Sequence, residues 1–285
     1  MSNDNSSKAL GQFLKSRRER LQPEKVGITD VSRRRTPGLR REEVAYMANI
    51  SVTYYTWLEQ GRDVKPSQDI LQNIGTALRL DRDELMHLID LSEVGSLQSR
   101  ENIDEDEEED STSLYAAVEQ LNYPSFIVND STEVLAWNRA AEVIVSDFNA
   151  WPKEERFILN IMFADKKIES QMINRDEFIS YSTAVFRRVC DRHPDHPEYL
   201  ERAGWLCGKY TEFKALWERH DVKRKRITCG IFQHPEAGLL EFQAHSLSVD
   251  GNPTLHWSIY TPYTYTNKDP DTADAGASRK YITEY

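Results

Sequence analysis

The sequence predicts an all-α bundle of five helices followed by an α+β domain with an antiparallel sheet. Apolar residues recur at helical spacing from Leu10 to Leu91. Seven consecutive acidic residues, Asp104 to Asp110, interrupt this pattern. Strand-like runs then lie at both ends of a segment whose middle has helical spacing. We therefore expect a bundle over residues 1–92, a flexible linker over 93–113, an α+β domain over 114–265 and a loose tail over 266–285.

The first, fourth and fifth helices are predicted from apolar spacing and capping residues. Leu10, Phe13 and Leu14 share one face of the first helix. Ser67 and Asp81 each precede a further helical pattern, and their side-chain oxygens are suited to accept hydrogen bonds from free backbone N–H groups. The sequence therefore predicts three helices around the central segment.

The central segment, residues 40–61, predicts two short helices joined by the turn Asn49-Ile50-Ser51. Asn tolerates a positive φ, and Ser51 is a suitable N-cap for the second helix. Tyr55 and Leu58 lie on the buried side of that helix, and Gly61 ends it. This is the pattern of a helix-turn-helix whose second helix enters the major groove of DNA. We call it the recognition helix.

Val52, Thr53 and Trp57 lie on the outward face of the recognition helix. In this motif, residues after the N-cap and one turn later contact base edges. Amphipathic hairpins without function share part of the pattern, but the complete spacing favours DNA binding. The full set of predicted DNA contacts is Arg33, Arg34, Arg35, Arg40, Arg41, Ser51, Val52, Thr53, Tyr54, Trp57 and Arg62.

A long loop, residues 22–39, precedes the motif and contains Arg33, Arg34 and Arg35. Three consecutive arginines cannot share a buried face, so the loop is either a solvated basic segment or a clamp on phosphates or the minor groove. Its place beside the motif favours the clamp.

Charge is distributed unevenly along a chain whose net charge is −11. Residues 8–65 carry 13 Lys and Arg against 7 Asp and Glu, a net charge of +6, whereas residues 101–285 carry a net charge of −13. A locally basic module is what phosphate binding requires. The acidic run is interpreted as solvated linker, with competition for the basic face as the alternative.

Several classes of protein are not indicated. No apolar run approaches the length of a membrane span and no signal-peptide core is visible, so we expect a cytoplasmic protein. Cys190, Cys207 and Cys229 are too widely spaced for a disulfide framework or metal knuckle and are interpreted as small core residues. No phosphate loop, nucleophile elbow or paired catalytic carboxylates can be singled out, so neither an enzyme nor a cofactor is predicted.

The second domain is predicted to place strands at its two ends and helices between them, with one antiparallel sheet covered by helices on one face. The predicted strands are 125–129, 133–137, 224–233, 239–247 and 254–261. The predicted helices begin around Leu114 and otherwise cover 139–148, 154–163, 176–192, 197–209 and 211–220.

Residues 40–61 resemble the XRE class of lambda-repressor-like regulators. The resemblance implies base contacts from Val52, Thr53 and Trp57 and phosphate contacts from Arg41 and Ser51. The sequence departs from the class at Asn49, where Gly is commoner, and in lacking a long amide or guanidinium at the base-contacting positions. Contact with thymine methyl groups, stacking and DNA shape are then expected to contribute more.

The second domain resembles the MmyB-like ligand-binding domain, a PAS-like fold found behind XRE-type DNA-binding domains. Four segments carry the resemblance: 134–141, 192–197, 212–222 and 232–240. Together with Arg33 to Ala45, it covers nearly residues 8–262. It implies a one-component regulator whose second domain takes a small apolar ligand, with fatty-acid-like molecules a plausible class.

The candidate ligand contacts are large apolar side chains and three cations, although an aromatic residue on an amphipathic helix is more often plain core. A ligand carboxylate would need a cation, since a buried unpaired charge is costly. The predicted ligand set is Trp137, Arg156, Phe157, Met162, Phe186, Trp205, Phe213, Trp217, His220 and Arg226. His193, His196 and Glu198 are interpreted as a surface turn and not a metal site, because two prolines break the helix that would align them.

The preferred hypothesis is a homodimeric, ligand-responsive transcription regulator that binds two half-sites of double-stranded DNA about one helical turn apart. One alternative is a small-molecule enzyme tethered to DNA through the first domain. Another is a protein-docking module without a ligand pocket. A co-purified small molecule would favour the sensor.

Overall fold

The computed structural model of the chain describes residues 2–28, 38–62, 64–97, 108–249 and 252–263. The helices are α1 Ser2–Arg20, α2 Arg41–Met47, α3 Val52–Glu59, α4 Gln68–Ala77, α5 Arg82–Leu97, α6 Glu108–Glu119, α7 Arg139–Ile144, α8 Ile158–Ala164, α9 Lys166–Gln171, α10 Arg175–Arg192, α11 Pro197–Lys209 and α12 Thr211–Glu218. The strands are β1 Ser125–Asn129, β2 Val134–Trp137, β3 Thr228–His234, β4 Gly238–Val249 and β5 Asn252–Pro262. Short 3-10 helices cover Pro23–Val26, Phe148–Ala150 and Lys153–Glu155.

The contacts divide the chain into two compact units. The first unit contains the described residues of 1–102 together with 187–224. The second unit contains the described residues of 103–186 together with 225–285. Helix α10 begins in the second unit and ends in the first.

The predicted bundle of five helices is confirmed as α1 to α5. Its core is apolar at the spacings seen in the sequence, with Leu14, Val44 and Ile74 fully buried. The predicted caps are formed: Ser67 Oγ accepts from Ile70 N at 3.4 Å, and Asp81 Oδ1 accepts from Glu84 N at 2.9 Å. Local capping and packing therefore agree on where α4 and α5 begin.

The second unit contains a single antiparallel sheet of five strands in the order β2-β1-β5-β4-β3, which confirms the predicted α+β class. The last strand, β5, pairs with both β1 and β4 and lies at the centre. Val118 of α6 packs with Ile127 and Leu255 on one face of the sheet. The opposite face carries the candidate ligand site.

Helices occupy both ends of the predicted linker. Helix α5 continues to Leu97 and α6 begins at Glu108. Residues 98–107 of the predicted linker and the predicted tail, 266–285, lie outside the described residues.

Four elements differ from the sequence prediction. The predicted helix from Arg139 ends at Ile144, and a 3-10 helix capped by Asp147 follows. The predicted helix over 154–163 begins only at Ile158, after another 3-10 helix. Helix α9 was not predicted; Asp165 caps it, accepting from Lys167 N at 2.7 Å. Strand β3 begins at Thr228 and not at Arg224.

Candidate functional site

The recognition helix is α3, and its N-terminus has the geometry expected from the sequence. Ser51 Oγ accepts a hydrogen bond from Tyr54 N at 3.1 Å. Asn49 in the turn has a φ of 56°, and Gly61 after the helix has a φ of 68°. Tyr55 and Leu58 are buried. The helix is thus held by its cap and by two side chains, leaving its other face available.

That other face carries the predicted base-contacting residues. Val52 is 46% exposed, Trp57 is 38% exposed and Thr53 is exposed. Tyr54 is partly buried. The guanidinium of Arg62 lies 5.7 Å from the ring centroid of Trp57, within cation–π range. The arrangement offers apolar, stacking and cationic groups on one surface.

A buried ion pair fixes the recognition helix against α1. Glu59, at the end of α3, accepts from Arg18 Nε at 2.6 Å and from Arg18 Nη2 at 2.8 Å. The Glu59 side chain has no exposed surface. Burial alone would raise the pKa of Glu59, but hydrogen bonds from Arg18 and Arg41 hold it below its usual value. Glu59 is therefore charged, and the pair fixes α3 by a bidentate contact.

Two glycines allow backbone contact at the same place. A Cβ atom on Gly11 of α1 would lie 2.6 Å from the carbonyl oxygen of Glu59. A Cβ atom on Gly61 would lie 2.9 Å from backbone atoms of Ser7 and Lys8. The C-terminal end of α3 and helix α1 therefore approach more closely than any other residue would permit.

The predicted arginine contacts with DNA differ in whether the structure describes them and in whether they already have an ion-pair partner. Arg41 donates to Glu59 at 2.9 Å, so its guanidinium already has a partner although 44% of its side chain is exposed. Arg40 is exposed, pairs with Glu42 at 3.4 Å and precedes α2 as its N-cap. Arg33, Arg34 and Arg35 lie outside the described residues. Their clamp role stays a prediction.

The second unit presents a row of aromatic side chains on the face of its sheet opposite α6. The residues share that face because they occupy alternate positions on paired strands. Successive ring centroids lie between 5.4 and 6.3 Å apart. We call these residues the aromatic row: Trp137, Phe148, Phe126, Tyr260, Phe242 and Phe232. Phe148 is the one that lies off the strands, after α7.

Of the aromatic row, only Trp137 is predicted as a ligand contact from the sequence. Alternation within β1, β4 and β5 marks buried positions, but it does not say which strands are neighbours. Gly230 contributes as well, since a Cβ atom there would lie 3.3 Å from the Tyr260 ring. The sequence does not give the pairing of strands across the sheet, which is needed to predict that these aromatic side chains meet.

Other predicted ligand residues of the second unit lie in its interior. Phe157 forms an antiparallel bridge with Glu133 and is buried, as are Met162 and Phe186. Arg156 lies over the Trp137 ring at 5.0 Å and donates to the Trp151 carbonyl at 3.2 Å. The Arg156 guanidinium is thus close to the aromatic row.

The remaining predicted ligand residues do not join this group. Trp205, Phe213, Trp217 and His220 belong to the first unit. Phe213 stacks on Trp217 at 5.5 Å in its interior, whereas Trp205 is 38% exposed and its ring faces Lys209 at 4.2 Å. Helical periodicity placed them on apolar faces without revealing the unit to which each helix belongs.

Arg226 is exposed, and its guanidinium lies 5.9 Å from the Tyr181 ring. Its backbone N–H donates to the Tyr181 hydroxyl at 2.8 Å. Arg226 lies two residues before β3 begins at Thr228, so it is not among the strand residues that form the aromatic row.

A polar cluster of Asp130, Lys225 and His256 was not identified from the sequence. His256 Nε2 lies 2.6 Å from Asp130 Oδ1, and Lys225 Nζ lies 3.6 Å from the same oxygen. His256 occupies the face of β5 that carries Tyr260, four residues away, so about 13 Å of strand separates them. Its Nδ1 is buried without a hydrogen-bond partner. Lys225 is exposed, but partial desolvation of its amino group lowers the pKa of that group to about 8, although Asp130 opposes this shift.

The cysteine prediction is wrong for one residue. Cys190 is buried, Cys207 is partly buried and Cys229 is exposed, and all three are free thiols. Cys229 sits on β3 at a position that alternation turns outward. Among the described residues, no group of three or more His, Cys, Asp or Glu side chains could hold a metal ion. None of the described helices combines the length and apolar character required to cross a bilayer.

Comparison with known proteins gives a family model for each part of the chain. A helix-turn-helix domain model matches residues 9–88. The model of the MmyB-like transcription regulator ligand binding domain matches residues 111–276, more than half of the chain. No curated protein matches the chain.

Proposed function

Because the chain belongs to the family of MmyB-like transcription regulators, we propose that it binds specific DNA sites and senses a small, apolar, fatty-acid-like ligand. The coarser part of this description follows from the two family models: the chain is a DNA-binding transcription regulator with a ligand-binding domain. The identity of the ligand, the PAS-like fold of the second domain, the XRE class of the first and a homodimeric state are parts of the proposal.

The aromatic row and the polar cluster on the same sheet face carry the ligand proposal. Ligand sites are mostly apolar, with a few polar groups that fix orientation. The row supplies an apolar wall across all five strands, and His256 lies further along β5, in contact with Asp130, which also contacts Lys225. This order, an apolar wall followed by a polar cluster that contains the Lys225 amine, matches an acyl chain with a carboxylate head.

The recognition helix supports sequence-specific binding. Its exposed Val52, Thr53 and Trp57 have no role in the core of the first unit. Val52 and the Thr53 methyl group suit thymine methyl groups, and Trp57 offers a large surface for apolar contact and stacking. A single recognition helix buries little surface, so we propose a homodimer on two half-sites about one helical turn apart. A cytoplasmic location belongs to the same proposal, since DNA is the partner.

We also propose that the second domain has no enzymatic activity. The clustered polar groups near the aromatic row, Asp130, Lys225 and His256, contact one another and include no hydroxyl or thiol nucleophile paired with a base, of the kind that acyl transfer requires. Turnover of a bound lipid by the purified chain would contradict this.

Two measurements on the full chain test the proposal. Selection of DNA from a random pool should enrich one sequence arranged as two half-sites. Native mass spectrometry of protein made in cells should reveal a co-purified molecule with the mass of a fatty acid. Enrichment of unrelated DNA sequences would remove the specific-regulator proposal, and repeated recovery of ligand-free protein with no affinity for added palmitic acid would remove the fatty-acid proposal.

The basic loop is tested by Arg34→Ala. Loss of a phosphate contact should weaken binding to all DNA sequences alike and reduce the log–log salt slope by about 0.9. Lys65→Ala, an exposed position of the same module, is the comparison variant. An unchanged slope for Arg34→Ala would show that the loop is merely solvated.

A further inference from the structure

Part of the ligand-binding family region is structurally part of the DNA-binding unit. Residues 187–224 lie within the MmyB-like match, yet they group with the helix bundle in the first unit. Val222 is 1% exposed and belongs to the same apolar core as Leu14 and Leu88. Burial of Val222 in this core removes its side chain from water. The bundle is therefore completed by this segment.

Polar contacts hold the end of the segment to α1 and α5. Arg17 donates to the His220 carbonyl at 2.5 Å, and Arg20 pairs with Asp221 at 2.7 Å. Lys223 pairs with Asp81 at 2.8 Å. These contacts lie on both sides of Val222, so the apolar contact is flanked by ion pairs.

The start of the segment is held to α5 by a second group of contacts. Asp191 lies 3.2 Å from His87 and 3.1 Å from Arg187, and Arg188 pairs with Asp90. The His87 side chain is fully buried and Arg187 is 7% exposed. Buried polar networks are costly when half satisfied, so this contact tends to be either formed or broken as a whole.

His220 joins the two groups of contacts. Burial, together with the positive charge of Arg187, lowers the pKa of His220 to about 4. The imidazole is therefore neutral at pH 7, and its Nδ1 accepts from Arg187 Nη2 while its carbonyl accepts from Arg17. We call the contacts of 187–224 with α1 and α5 the docking network.

Helix α1 links the docking network to the recognition helix. Arg17 contacts the segment, and its neighbour Arg18 holds Glu59 at the end of α3. Both arginine side chains are nearly buried, at 2% and 4% exposed. A displacement of 187–224 that moves α1 would therefore also displace α3, through the adjacent residues Arg17 and Arg18.

From this arrangement we propose that residues 187–224 transmit the ligand signal to the recognition helix through Arg17 and Arg18 of α1. The regulatory part of this inference rests on the proposed function, whereas the mechanical link from the segment to α3 does not. The competing route is the predicted linker, residues 93–113, which would act only as a covalent tether between the domains.

A charge exchange at Arg188 and Asp90 tests the link, because each side chain has the other as its ion-pair partner and both are partly exposed. Arg188→Glu and Asp90→Arg each place like charges together, and the double variant restores an opposite-charge pair. Arg192→Glu, an exposed position on the same helix, is the matched control. The measurements are amide hydrogen exchange and affinity for the selected DNA, made on the full chain without ligand.

We expect each single variant to raise amide exchange about tenfold or more in 187–224, α5 and α3, and to weaken DNA binding severalfold. The double variant should recover most of both, and Arg192→Glu should match the wild type. Faster exchange in 187–224 with unchanged α3 and unchanged DNA affinity would overturn the proposal. So would rescue of neither property by the double variant.

Palmitic acid as the added probe separates this inference from the proposed function. If it changes the DNA affinity of the wild type, the single variants should respond to it by less than about a third of the wild-type change. A full response in the variants overturns transmission through the segment. If the wild type neither binds DNA nor responds, the proposed function fails, while the exchange measurement still decides whether the segment and α3 are linked.

Discussion

The recognition helix and the aromatic row are built in opposite ways. The candidate DNA contacts Val52, Thr53 and Trp57 come from one helix, point outward and leave the core to Tyr55 and Leu58. The aromatic row takes its side chains from all five strands and from the chain after α7, and most of them are themselves core. In the first region the candidate DNA contacts are separate from the core, whereas in the second most of the candidate ligand contacts are themselves core.

Phe242 is the residue of the aromatic row whose removal should affect stability most. Phe242→Ala should lower the free energy of unfolding by about 4 kcal/mol, because it deletes a fully buried ring between Phe232 and Tyr260. Chemical denaturation of the full chain, followed by near-ultraviolet circular dichroism, measures this change. Phe242→Leu keeps most of the volume and should cost less than half as much. A change within 1 kcal/mol for the alanine variant would show that the row is not core.

The recognition helix also depends on one distant contact. Glu59→Gln should lower the free energy of unfolding of the first unit by about 3 kcal/mol, since Arg18 would keep a buried charge without its carboxylate partner. Thermal unfolding is the measurement. Arg41→Gln serves as the comparison variant, and its partly exposed contact should contribute less than about 1 kcal/mol. Equal effects of the two substitutions would contradict the assignment of Arg18 and Glu59 as the central pair.

Trp57→Ala tests whether function is separate from stability in the recognition helix. We expect discrimination between the selected DNA and unrelated DNA to fall by about 1–3 kcal/mol, with unfolding changed by less than about 0.5 kcal/mol. Competition binding assays measure the first quantity and thermal unfolding the second. Tyr46→Ala removes a side chain that is 88% exposed on α2 and should leave discrimination unchanged. Unaltered site preference for Trp57→Ala would place the recognition surface elsewhere.

The smallest expected effect is a pH dependence at the polar cluster. The pKa of Lys225 is lowered to about 8, so its charged form is present below pH 8 and lost as the pH rises above it. Affinity for palmitic acid should therefore fall by several-fold between pH 7 and about pH 9. Lys225→Met should bind more weakly at pH 7 and lose this slope. Equal slopes in both proteins would exclude Lys225 as the partner of the carboxylate.

The lowered pKa of Lys225 also makes the stability of the fold depend on pH. A folded-state pKa below the unfolded value of 10.5 means that the charged amino group opposes folding at neutral pH. This opposition is relieved as the pH rises from about 8 towards 10.5. Lys225→Met should therefore remove a small alkaline gain in stability.

The sequence predicted most of the first region because its signals are local. Ser51 Oγ accepts a hydrogen bond from the N–H of Tyr54, only three residues further along the chain. Asn49 and Gly61 adopt positive φ values, which Asn tolerates and which Gly adopts readily because it has no Cβ. The spacing of Tyr55 and Leu58 then decides which face is buried. The predicted DNA contacts are the residues of α3 that do not lie on the buried face. Their role in DNA binding stays a prediction.

Local periodicity did not identify the residues of the candidate ligand site, because their proximity depends on strand order and on which helices pack together. Phe126, Tyr260 and Phe242 meet only because β5 lies between β1 and β4. Trp205, Phe213 and Trp217 have apolar helical spacing, but that spacing is satisfied within the first unit. Asp130 precedes Lys225 by 95 residues and His256 by 126 residues along the chain, and no local sequence pattern links the three.

The sequence by itself determined the fold class, the five-helix bundle, the capped recognition helix and its outward face, because capping, periodicity and turn chemistry act over a few residues. Only the tertiary structure decided that residues 187–224 complete the helix bundle. It also decided that β5 lies between β1 and β4, which brings the side chains of the aromatic row together. Both depend on contacts between distant parts of the chain, where many segments are apolar enough to pack and only the folded arrangement selects which of them meet.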